Sequence, residues 1–416
     1  MRAELDRAAL PGPTLDDIVE ARARVAAVVE TTPMERSRFL SEIAGVDVHL
    51  KAENLQRTGS YKIRGAFNRI SQLTAEERSH GVVAASAGNH AQGVALAARE
   101  LGIAATIFMP TGVALPKLQA TRNYGADVVL EGDVVDETLA AAAEFAERTG
   151  AVLIPPFDHP DVVAGQATLG LEILEQVPDV QTIVVPIGGG GLISGIASAV
   201  AHAAPDRDIR VIGVQARNSA PYPASLAAGE ITPVRVGPTI ADGIAVARPG
   251  KLNFDIIRRT VDDVVTVSDD DIARALVVLL ERAKLVVEPA GAAGVAALLA
   301  GAVSATGPMV VLLSGGNIDP MVMERVISRG LAADRRYLKV VIPLPDRPGQ
   351  LTTIAGIISD ANANVVEVLH TRHGTGLQIT EVAIEIHMET RGPEHAELVL
   401  AHLREQGYRP EVDERV

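Results

Sequence analysis

Short apolar runs rich in β-branched residues alternate with amphipathic helical segments from about residue 47 onward. The runs that read as buried strands are 81–86, 105–110, 182–187, 210–215 and 308–314. Continuously apolar strands separated by helices predict an α/β protein with parallel sheets covered on both faces. Ligands of such sheets bind beyond the carboxyl ends of the strands, which is where the glycine-rich stretches of this chain fall.

A different pattern begins near residue 331, after a polar bridge. The predicted elements are a strand at 337–344, a helix at 349–362, strands at 364–370 and 377–388, a helix at 393–406 and a short strand near 408–412. This βαββαβ order over about 80 residues predicts a ferredoxin-like domain. We therefore predict a catalytic region at 1–330 and a separate domain at 335–416. Within the catalytic region we expect a small subdomain of about 54–157, with the remainder forming a large one.

Composition excludes several classes of function. The 416-residue chain has no cysteine, which rules out disulfides, thiolate metal sites and a cysteine nucleophile. Its formal net charge of −14 is unsuited to nucleic acid, whose binding requires basic surface. The polar N-terminal segment lacks the apolar core of a signal peptide, and the apolar stretch 290–303 is too short to span a bilayer. We expect a cytoplasmic protein without a membrane or nucleic-acid partner.

A run of four glycines joins a predicted strand to a predicted helix at Gly188, Gly189, Gly190 and Gly191, followed by Leu192. Such a loop lets the backbone approach an anion, which free N–H groups at the helix start can bind. The Walker pattern fails because no Lys-Ser/Thr pair follows. A dinucleotide pattern lacks its third glycine, and the next strand ends in Gln215 rather than an acid. A small phosphate monoester fits better than ATP or NAD; a plain flexible turn is the alternative.

Two further strand ends carry polar residues. The stretch 86–90 offers small residues at Ser86, Ala87 and Gly88, then Asn89 and His90 at a predicted helix start. The Asn89 amide can both donate and accept hydrogen bonds. His90 is either a catalytic group or a structural histidine. Ser314, at the end of the last buried strand, is by itself a weak indication because Ser-Gly is a common turn.

Lys62 stands at the start of a predicted amphipathic helix, with Ser60 as the expected N-cap. The positive end of the helix dipole disfavours a cation there, and burial adds to this effect. A lysine held near its neutral form is suited to act as a Schiff-base nucleophile, whereas an ordinary solvated lysine has no such role. Together with a phosphate-binding loop and no redox motif, Lys62 points to pyridoxal phosphate as cofactor.

Four segments in this order resemble the pyridoxal-phosphate enzymes of the tryptophan-synthase-β fold type, and within it the serine/threonine dehydratases. They are GSYKIRGA (59–66), SAGNHAQG (86–93), GGGGL (188–192) and SGGN (314–317). The segments TIADGIAV (239–246) and VEPAGA (287–292) also match, and the resemblance covers roughly residues 15–330. It implies PLP fold type II, with two subdomains built on open twisted sheets.

The resemblance also implies roles for individual residues. Lys62 would bind the cofactor covalently and act as the catalytic base, Asn89 would contact its 3′-oxygen, and Ser314 would lie beside its pyridine nitrogen. The phosphate would lie in the cup formed by Gly188, Gly189, Gly190, Gly191 and Leu192. The substrate carboxylate would bind at Ser86, Ala87, Gly88 and His90.

The implied reaction is β-elimination from L-threonine to 2-oxobutanoate and ammonia, the entry step of isoleucine synthesis. Related racemases carry a serine where this chain has Ala87, so Lys62 is left as the base at Cα and elimination is favoured. Those relatives bind a divalent cation through a glutamate where this chain has Gln215, and we assign no metal. Serine dehydratase, amino-acid racemase, 3-hydroxyaspartate dehydratase, a nucleotide-dependent α/β protein and an amino-acid sensor remain as alternatives.

The C-terminal domain resembles an ACT domain, in which DRPGQL (346–351) forms the turn from the first strand to the first helix. The resemblance implies an amino-acid effector bound between two such domains, with Gly349 and Asn364 as candidate contacts. Isoleucine as inhibitor and valine as its opponent are the expected effectors, in a homodimer or homotetramer. A domain used only for dimerisation is the alternative.

Overall fold

The structure, a computed structural model, describes residues 10–372 and 381–413. It divides the chain into two compact units, Met1–Asp319 and Pro320–Val416. The helix Pro320–Ala333 belongs to the second unit and contacts the strand Tyr337–Pro345. The division between the units falls at residues 319 and 320.

The first unit is an α/β structure in which strands and helices alternate. Its strands are β1 (Met34–Arg36), β2 (Val48–Ala52), β3 (Val82–Ala85), β4 (Ala105–Met109), β5 (Asp127–Leu130), β6 (Val152–Leu153), β7 (Thr182–Pro186), β8 (Arg210–Ala216), β9 (Asp263–Val267) and β10 (Met309–Leu313). Its helices are α1 (Leu15–Val25), α2 (Arg38–Ala44), α3 (Lys62–Ser71), α4 (Ala75–His80), α5 (Asn89–Glu100), α6 (Leu115–Asn123), α7 (Val135–Thr149), α8 (Pro160–Gln176), α9 (Gly191–Ala203), α10 (Pro221–Ala228), α11 (Lys251–Thr260), α12 (Asp269–Val278) and α13 (Pro289–Leu299).

Two sheets organise this unit. The larger has the strand order β1-β2-β10-β7-β8-β9, and the smaller has the order β5-β4-β3-β6. Every pairing is parallel except that of β1 with β2. The prediction of parallel sheets is confirmed. The antiparallel strand β1 was not predicted, because three residues are too few to show a periodic pattern.

Helix α3 carries Lys62 and is held by a buried apolar face. Ile63, Ala66, Phe67 and Ile70 are all at most 6 % exposed and pack into the core around the smaller sheet. The predicted spacing of this face is confirmed. The expected N-cap is wrong, however: the N-cap is Tyr61, which makes no side-chain capping hydrogen bond. Ser60 lies one residue earlier, its backbone forms an isolated bridge with Gly315, and its buried hydroxyl has no hydrogen-bond partner among the described residues.

The second unit has the predicted ferredoxin-like architecture. Its elements are α14 (Pro320–Ala333), β11 (Tyr337–Pro345), α15 (Gln350–Asp360), β12 (Asn364–Thr371), β13 (Glu381–Glu389), α16 (Pro393–Glu405) and β14 (Glu411–Val412). The antiparallel sheet has the order β12-β13-β11-β14. Alternate residues of β11 and β13 are buried and form one core with α15 and α16. Residues 377–380 of the predicted third strand lie outside the described residues.

Among the helices of residues 10–372 and 381–413, none combines the length and the apolar character needed to cross a bilayer.

Candidate active site

A cavity of about 310 Å³ opens where strands β3, β7 and β10 end. Its volume lies in the range of small-molecule sites. It is lined by every catalytic, cofactor and substrate residue that the sequence predicts: Lys62, Ser86, Ala87, Gly88, Asn89, His90, Gly188, Gly189, Gly190, Gly191, Leu192 and Ser314. Residues 242–246 and Glu288, from the two further matching segments, line it as well. Segments far apart in the chain thus meet at the sheet edge that the strand pattern indicates.

The Lys62 amine is held at the cavity wall. Its Nζ donates a hydrogen bond to the backbone carbonyl of Pro156 at 2.9 Å. Burial lowers the pKa of Lys62 to about 8, and the nearby charge of Glu288 opposes this shift only in part. A fraction of the amine is therefore neutral near physiological pH, as a nucleophile or base requires.

The glycine loop presents unpaired backbone donors to the cavity. Within the described part of the chain, no hydrogen-bond acceptor is found for the N–H groups of residues 188–192. Helix α9 starts inside the loop, and its N-cap Gly190 has φ +103° and no side-chain cap. Free N–H groups at the positive end of a 13-residue helix form a site for a phosphate group.

Large side chains pack against this loop and limit the size of the residues that it can contain. A Cβ atom on Gly189 would lie 2.4 Å from the ring of Phe157, and one on Gly190 would lie 2.1 Å from the hydroxyl of Tyr222. Close packing therefore requires glycine at both positions, and the positive φ of Gly190 favours glycine there as well.

Gln215, where the sequence left cation binding undecided, is fully buried. Its Oε1 accepts a hydrogen bond from the backbone N–H of Tyr222 at 2.9 Å, and its Nε2 donates to the carbonyl of Ile187 at 3.2 Å. Both ends of the carboxamide thus bind protein groups next to the glycine loop.

Asn89 is the first residue of α5, and both ends of its amide are engaged. Nδ2 donates to Oε1 of Glu288 at 2.7 Å, and Oδ1 accepts from Nδ2 of Asn317 at 2.8 Å. Ser314 also lines the cavity, and its backbone carbonyl accepts a hydrogen bond from the N–H of Tyr61 at 3.2 Å. The Ser314 hydroxyl has no partner among the described residues, so it is available to a ligand.

The loop before α5 contributes small groups and one histidine. The Gly88 N–H donates to Oγ of Ser86 at 3.1 Å, which shapes the turn. His90 is 5 % exposed, and its Nε2 lies 2.8 Å from the carbonyl of Ile154. Burial and the charge of Lys62 lower the pKa of His90 to about 3, so the ring is neutral and Nε2 is the donor. These contacts favour the structural interpretation of His90 over the catalytic one.

The two effector candidates lie in the second unit. Gly349 precedes α15 with φ +93°, and the first residue of β12, Asn364, donates to Oε2 of Glu389 at 3.0 Å.

Sequence reasoning did not single out several residues of the site. Glu288 lies within the matching segment 287–292, but the sequence predicts no function for its carboxyl group. Pro156, Phe157 and Tyr222 act through a backbone carbonyl, a ring face and a buried hydroxyl. No local sequence pattern identifies contacts of that kind.

The cavity fits pyridoxal phosphate on its own geometry. It combines a lysine amine of lowered pKa, a cup of unpaired N–H groups at a helix start, an amide at Asn89 and a free hydroxyl at Ser314. These groups match an aldehyde, a phosphate, a ring hydroxyl and a ring nitrogen respectively.

Comparison with known proteins points to the same cofactor. Residues 25–315 match the family described as "Pyridoxal-phosphate dependent enzyme". The chain is 47 % identical to the L-threonine ammonia-lyase of Thermotoga maritima, over 95 % of this chain and 98 % of that protein. The processed form of threonine deaminase isoform 2 from Solanum lycopersicum superposes with a TM-score of 0.71 at 36 % identity, covering 77 % of this chain and 95 % of that one.

A maize serine racemase is similar in structure, with a TM-score of 0.72 and 37 % identity over 77 % of this chain and 98 % of that one. The site geometry, the matched residues and the extent of these similarities agree. The chain therefore belongs to the family of pyridoxal-phosphate dependent enzymes.

Proposed function

We propose that this chain is a lyase that converts L-threonine into 2-oxobutanoate and ammonia. The β-hydroxyl group leaves after the Cα proton is removed, and hydrolysis then releases the nitrogen. The observation that carries this proposal is Lys62, whose amine of lowered pKa shares one cavity with a phosphate cup. The 47 % identity to an L-threonine ammonia-lyase over nearly the whole chain supports threonine as substrate.

Lys62, Asn89, the loop 188–192 and Ser314 are the residues proposed to hold the cofactor. When bound, pyridoxal phosphate supplies the electron sink that stabilises the charge left at the substrate Cα. The loop N–H groups bind the phosphate, and the Asn89 amide donates to the ring oxygen. The uncharged Ser314 hydroxyl serves the ring nitrogen without adding a negative charge.

Lys62 is the proposed base at Cα. With a pKa of about 8, a far larger fraction of its Nζ is neutral near neutral pH than in an ordinary lysine, and only the neutral amine can accept a proton. In the structure, the Pro156 carbonyl accepts a hydrogen bond from this amine at the cavity wall. The loop formed by Ser86, Ala87 and Gly88, with His90 anchored behind it, is proposed to receive the substrate carboxylate.

A racemase is the second candidate function, supported by the likeness to maize serine racemase. Racemisation needs an acid–base group on each face of Cα, whereas elimination needs only the base on one face. Ala87 lines the cavity where related racemases carry a serine, and its methyl group cannot transfer a proton. This residue favours elimination. An Ala87→Ser variant is expected to gain racemisation of serine, detected by chiral chromatography of the remaining amino acid.

The test of the main proposal is the rate of 2-oxo acid release from threonine, serine and 3-hydroxyaspartate. We expect threonine to react fastest. Lys62→Ala should lose turnover by at least about 10³-fold and lose the visible absorption of the bound cofactor. Lys251→Ala, at an exposed lysine of α11, is the control and should retain both. A Lys62→Ala protein with normal turnover, or a wild-type protein that releases no 2-oxo acid, would contradict the proposal.

The second unit is proposed to regulate this activity as an ACT domain, at the first step of isoleucine synthesis in the cytoplasm. Isoleucine should inhibit and valine should relieve the inhibition, through contacts that include Gly349 and Asn364 in a homodimer or homotetramer. The measurement is the threonine rate with each amino acid, together with sedimentation velocity. Asn364→Ala should lose the response to isoleucine. A rate that neither amino acid changes would refute this regulation.

A further inference from the structure

Glu288 is a buried carboxyl group inside the cavity, and the proposed reaction does not use it. It is 7 % exposed and lines the cavity together with Lys62. It is the N-cap residue of α13, yet its side chain makes no capping hydrogen bond. Its side chain is therefore not hydrogen-bonded to its own helix and is directed to other partners.

The carboxyl group of Glu288 orients the Asn89 amide. Asn89 Nδ2 donates to Glu288 Oε1 at 2.7 Å, while Asn89 Oδ1 accepts from Asn317, which also donates to the Thr58 carbonyl at 2.7 Å. The amide is thereby fixed at both ends. One hydrogen of Nδ2 remains for a ligand in the cavity, because the amide nitrogen carries two.

The backbone beside this pair leaves room for it. A Cβ atom on Gly315 would lie 2.4 Å from Glu288 Oε1 and 3.0 Å from Asn89 Nδ2. The backbone N–H of Glu288 in turn donates to the Gly315 carbonyl at 3.0 Å. The first glycine of the SGGN segment is therefore explained by the contact between Glu288 and Asn89.

The groups around Glu288 shift the pKa of its carboxyl group in opposite directions. Among the described residues no lysine or arginine lies within ion-pair distance of it. Burial and the charge of Asp242 raise the pKa of Glu288 to about 7, and the Asn89 hydrogen bond, Lys117 and Lys62 lower it less. The Tyr61 hydroxyl is the remaining titratable neighbour and is neutral, because burial and Glu288 raise its pKa.

We propose that Glu288 is a positioning residue that aims the Asn89 amide at the cofactor and that it exchanges a proton with solvent while the cofactor is bound. The inference rests on the proposed contact between Asn89 and the ring oxygen of the cofactor. An ionised Glu288 places a negative charge one hydrogen-bonded amide away from that oxygen, and a neutral one does not. The ionisation of Glu288 should therefore change the visible absorption of the bound cofactor.

The experiment records visible absorption spectra of the cofactor-loaded protein between about pH 5.5 and 9, together with the dissociation constant of pyridoxal phosphate. Wild type should show a spectral transition within this pH range. Glu288→Gln should lose the transition yet bind the cofactor within about threefold of wild type, since its amide oxygen still accepts from Asn89. Glu288→Ala should lose the transition and bind about tenfold or more weakly.

Asp242→Asn is the matched control, because it neutralises another carboxyl group of the same cavity that does not contact Asn89. It should keep the transition at a lower pH, since Asp242 raises the pKa of Glu288. A Glu288→Gln protein with the wild-type transition would overturn the titration, and Glu288→Ala with wild-type affinity would overturn the positioning. A wild-type protein that binds cofactor but leaves threonine unchanged would instead refute the proposed function.

Discussion

The Tyr222 hydroxyl donates a hydrogen bond to the backbone carbonyl of Gly189 at 3.0 Å, from a position with no solvent exposure. The same carbonyl accepts from the N–H of Gly250 at 3.1 Å. Gln215 binds the Tyr222 N–H on one side and the Ile187 carbonyl on the other. The carbonyl groups of Gly189 and of Ile187, the residue before the loop, are thus bound by protein donors, and the N–H groups of residues 188–192 remain for the cavity.

Tyr222→Phe should weaken cofactor binding without unfolding the protein. Phenylalanine keeps the buried ring but removes one of the two donors to the Gly189 carbonyl. The loss of one hydrogen bond corresponds to about 0.5–1.5 kcal/mol, or roughly 2- to 12-fold in the dissociation constant of pyridoxal phosphate. Fluorescence titration of the cofactor-free protein measures this constant.

The control for this variant is Tyr124→Phe. The Tyr124 hydroxyl also donates to a backbone carbonyl, that of the exposed Arg57 at 3.1 Å, but the half-buried Tyr124 does not line the cavity. The affinity of the Tyr124→Phe protein for pyridoxal phosphate should equal that of wild type. Equal affinities of all three proteins would contradict the role of Tyr222.

Gly190→Ala should abolish cofactor binding, and Gly229→Ala should not. Both glycines have positive φ, at +103° and +75°, so both variants bear the strain of a left-handed alanine of about 1 kcal/mol. Only the Cβ at position 190 meets other atoms, at 2.1 Å from the Tyr222 hydroxyl, whereas nothing lies within 4 Å of a Cβ at 229. The absorption of bound pyridoxal phosphate after dialysis compares them. Retention of cofactor by Gly190→Ala would show that the loop tolerates displacement.

The sheet class and the composition of the cavity follow from the sequence because both depend on regular patterns. Buried strands are apolar runs, and the carboxyl ends of parallel strands meet at one edge of the sheet. The sequence alone therefore assigns to one site Lys62, Asn89, residues 188–192 and Ser314. The N-cap of helix α3, which starts at Lys62, could not be predicted in the same way. Ser60 has the right residue type for an N-cap, but its backbone is held by the bridge to Gly315.

Contacts between distant segments were beyond sequence reasoning. Asn89 and Glu288 are 199 positions apart, and nothing in either segment shows that one side chain orients the other. The hydrogen bond from Tyr222 to Gly189 forms because tertiary packing places α10 next to the glycine loop. Charges buried in the core, such as Arg64, are equally hidden, since a helix pattern marks them as solvent-facing.

Arg64→Met should strongly destabilise the fold. Arg64 has no solvent exposure, and its guanidinium donates to Glu53 at 2.8 Å and to Glu172 at 2.6 Å. Methionine would leave the buried Glu53 carboxylate without its cation and Glu172 with Lys51 alone, at a cost of about 3–5 kcal/mol. Urea unfolding at a fixed cofactor concentration measures the loss, because bound cofactor also adds stability.

Arg22→Ala is the matched control for Arg64. Arg22 forms an ion pair with Glu175 on the same helix α8 that carries Glu172, but both side chains are about half exposed. Exposed pairs contribute at most about 1 kcal/mol. A loss for Arg64→Met as small as that for Arg22→Ala would show that the buried carboxyl groups find other partners.

Glu288→Gln should stabilise the protein fully above about pH 7 and leave it unchanged well below pH 4.5. The pKa of Glu288 is about 7 when folded against 4.5 as reference, so the carboxyl group ionises more readily in the unfolded chain. Its presence therefore lowers the free energy of unfolding as pH rises from about 4.5 to 7, by up to about 3 kcal/mol, and glutamine removes this effect. Urea unfolding at pH 5 and pH 8 measures the difference, and Asp242→Asn should make it smaller, since Asp242 raises the pKa of Glu288. The gain from Glu288→Gln should be largest at pH 8, and an equal gain at both values would mean that Glu288 does not titrate in this range.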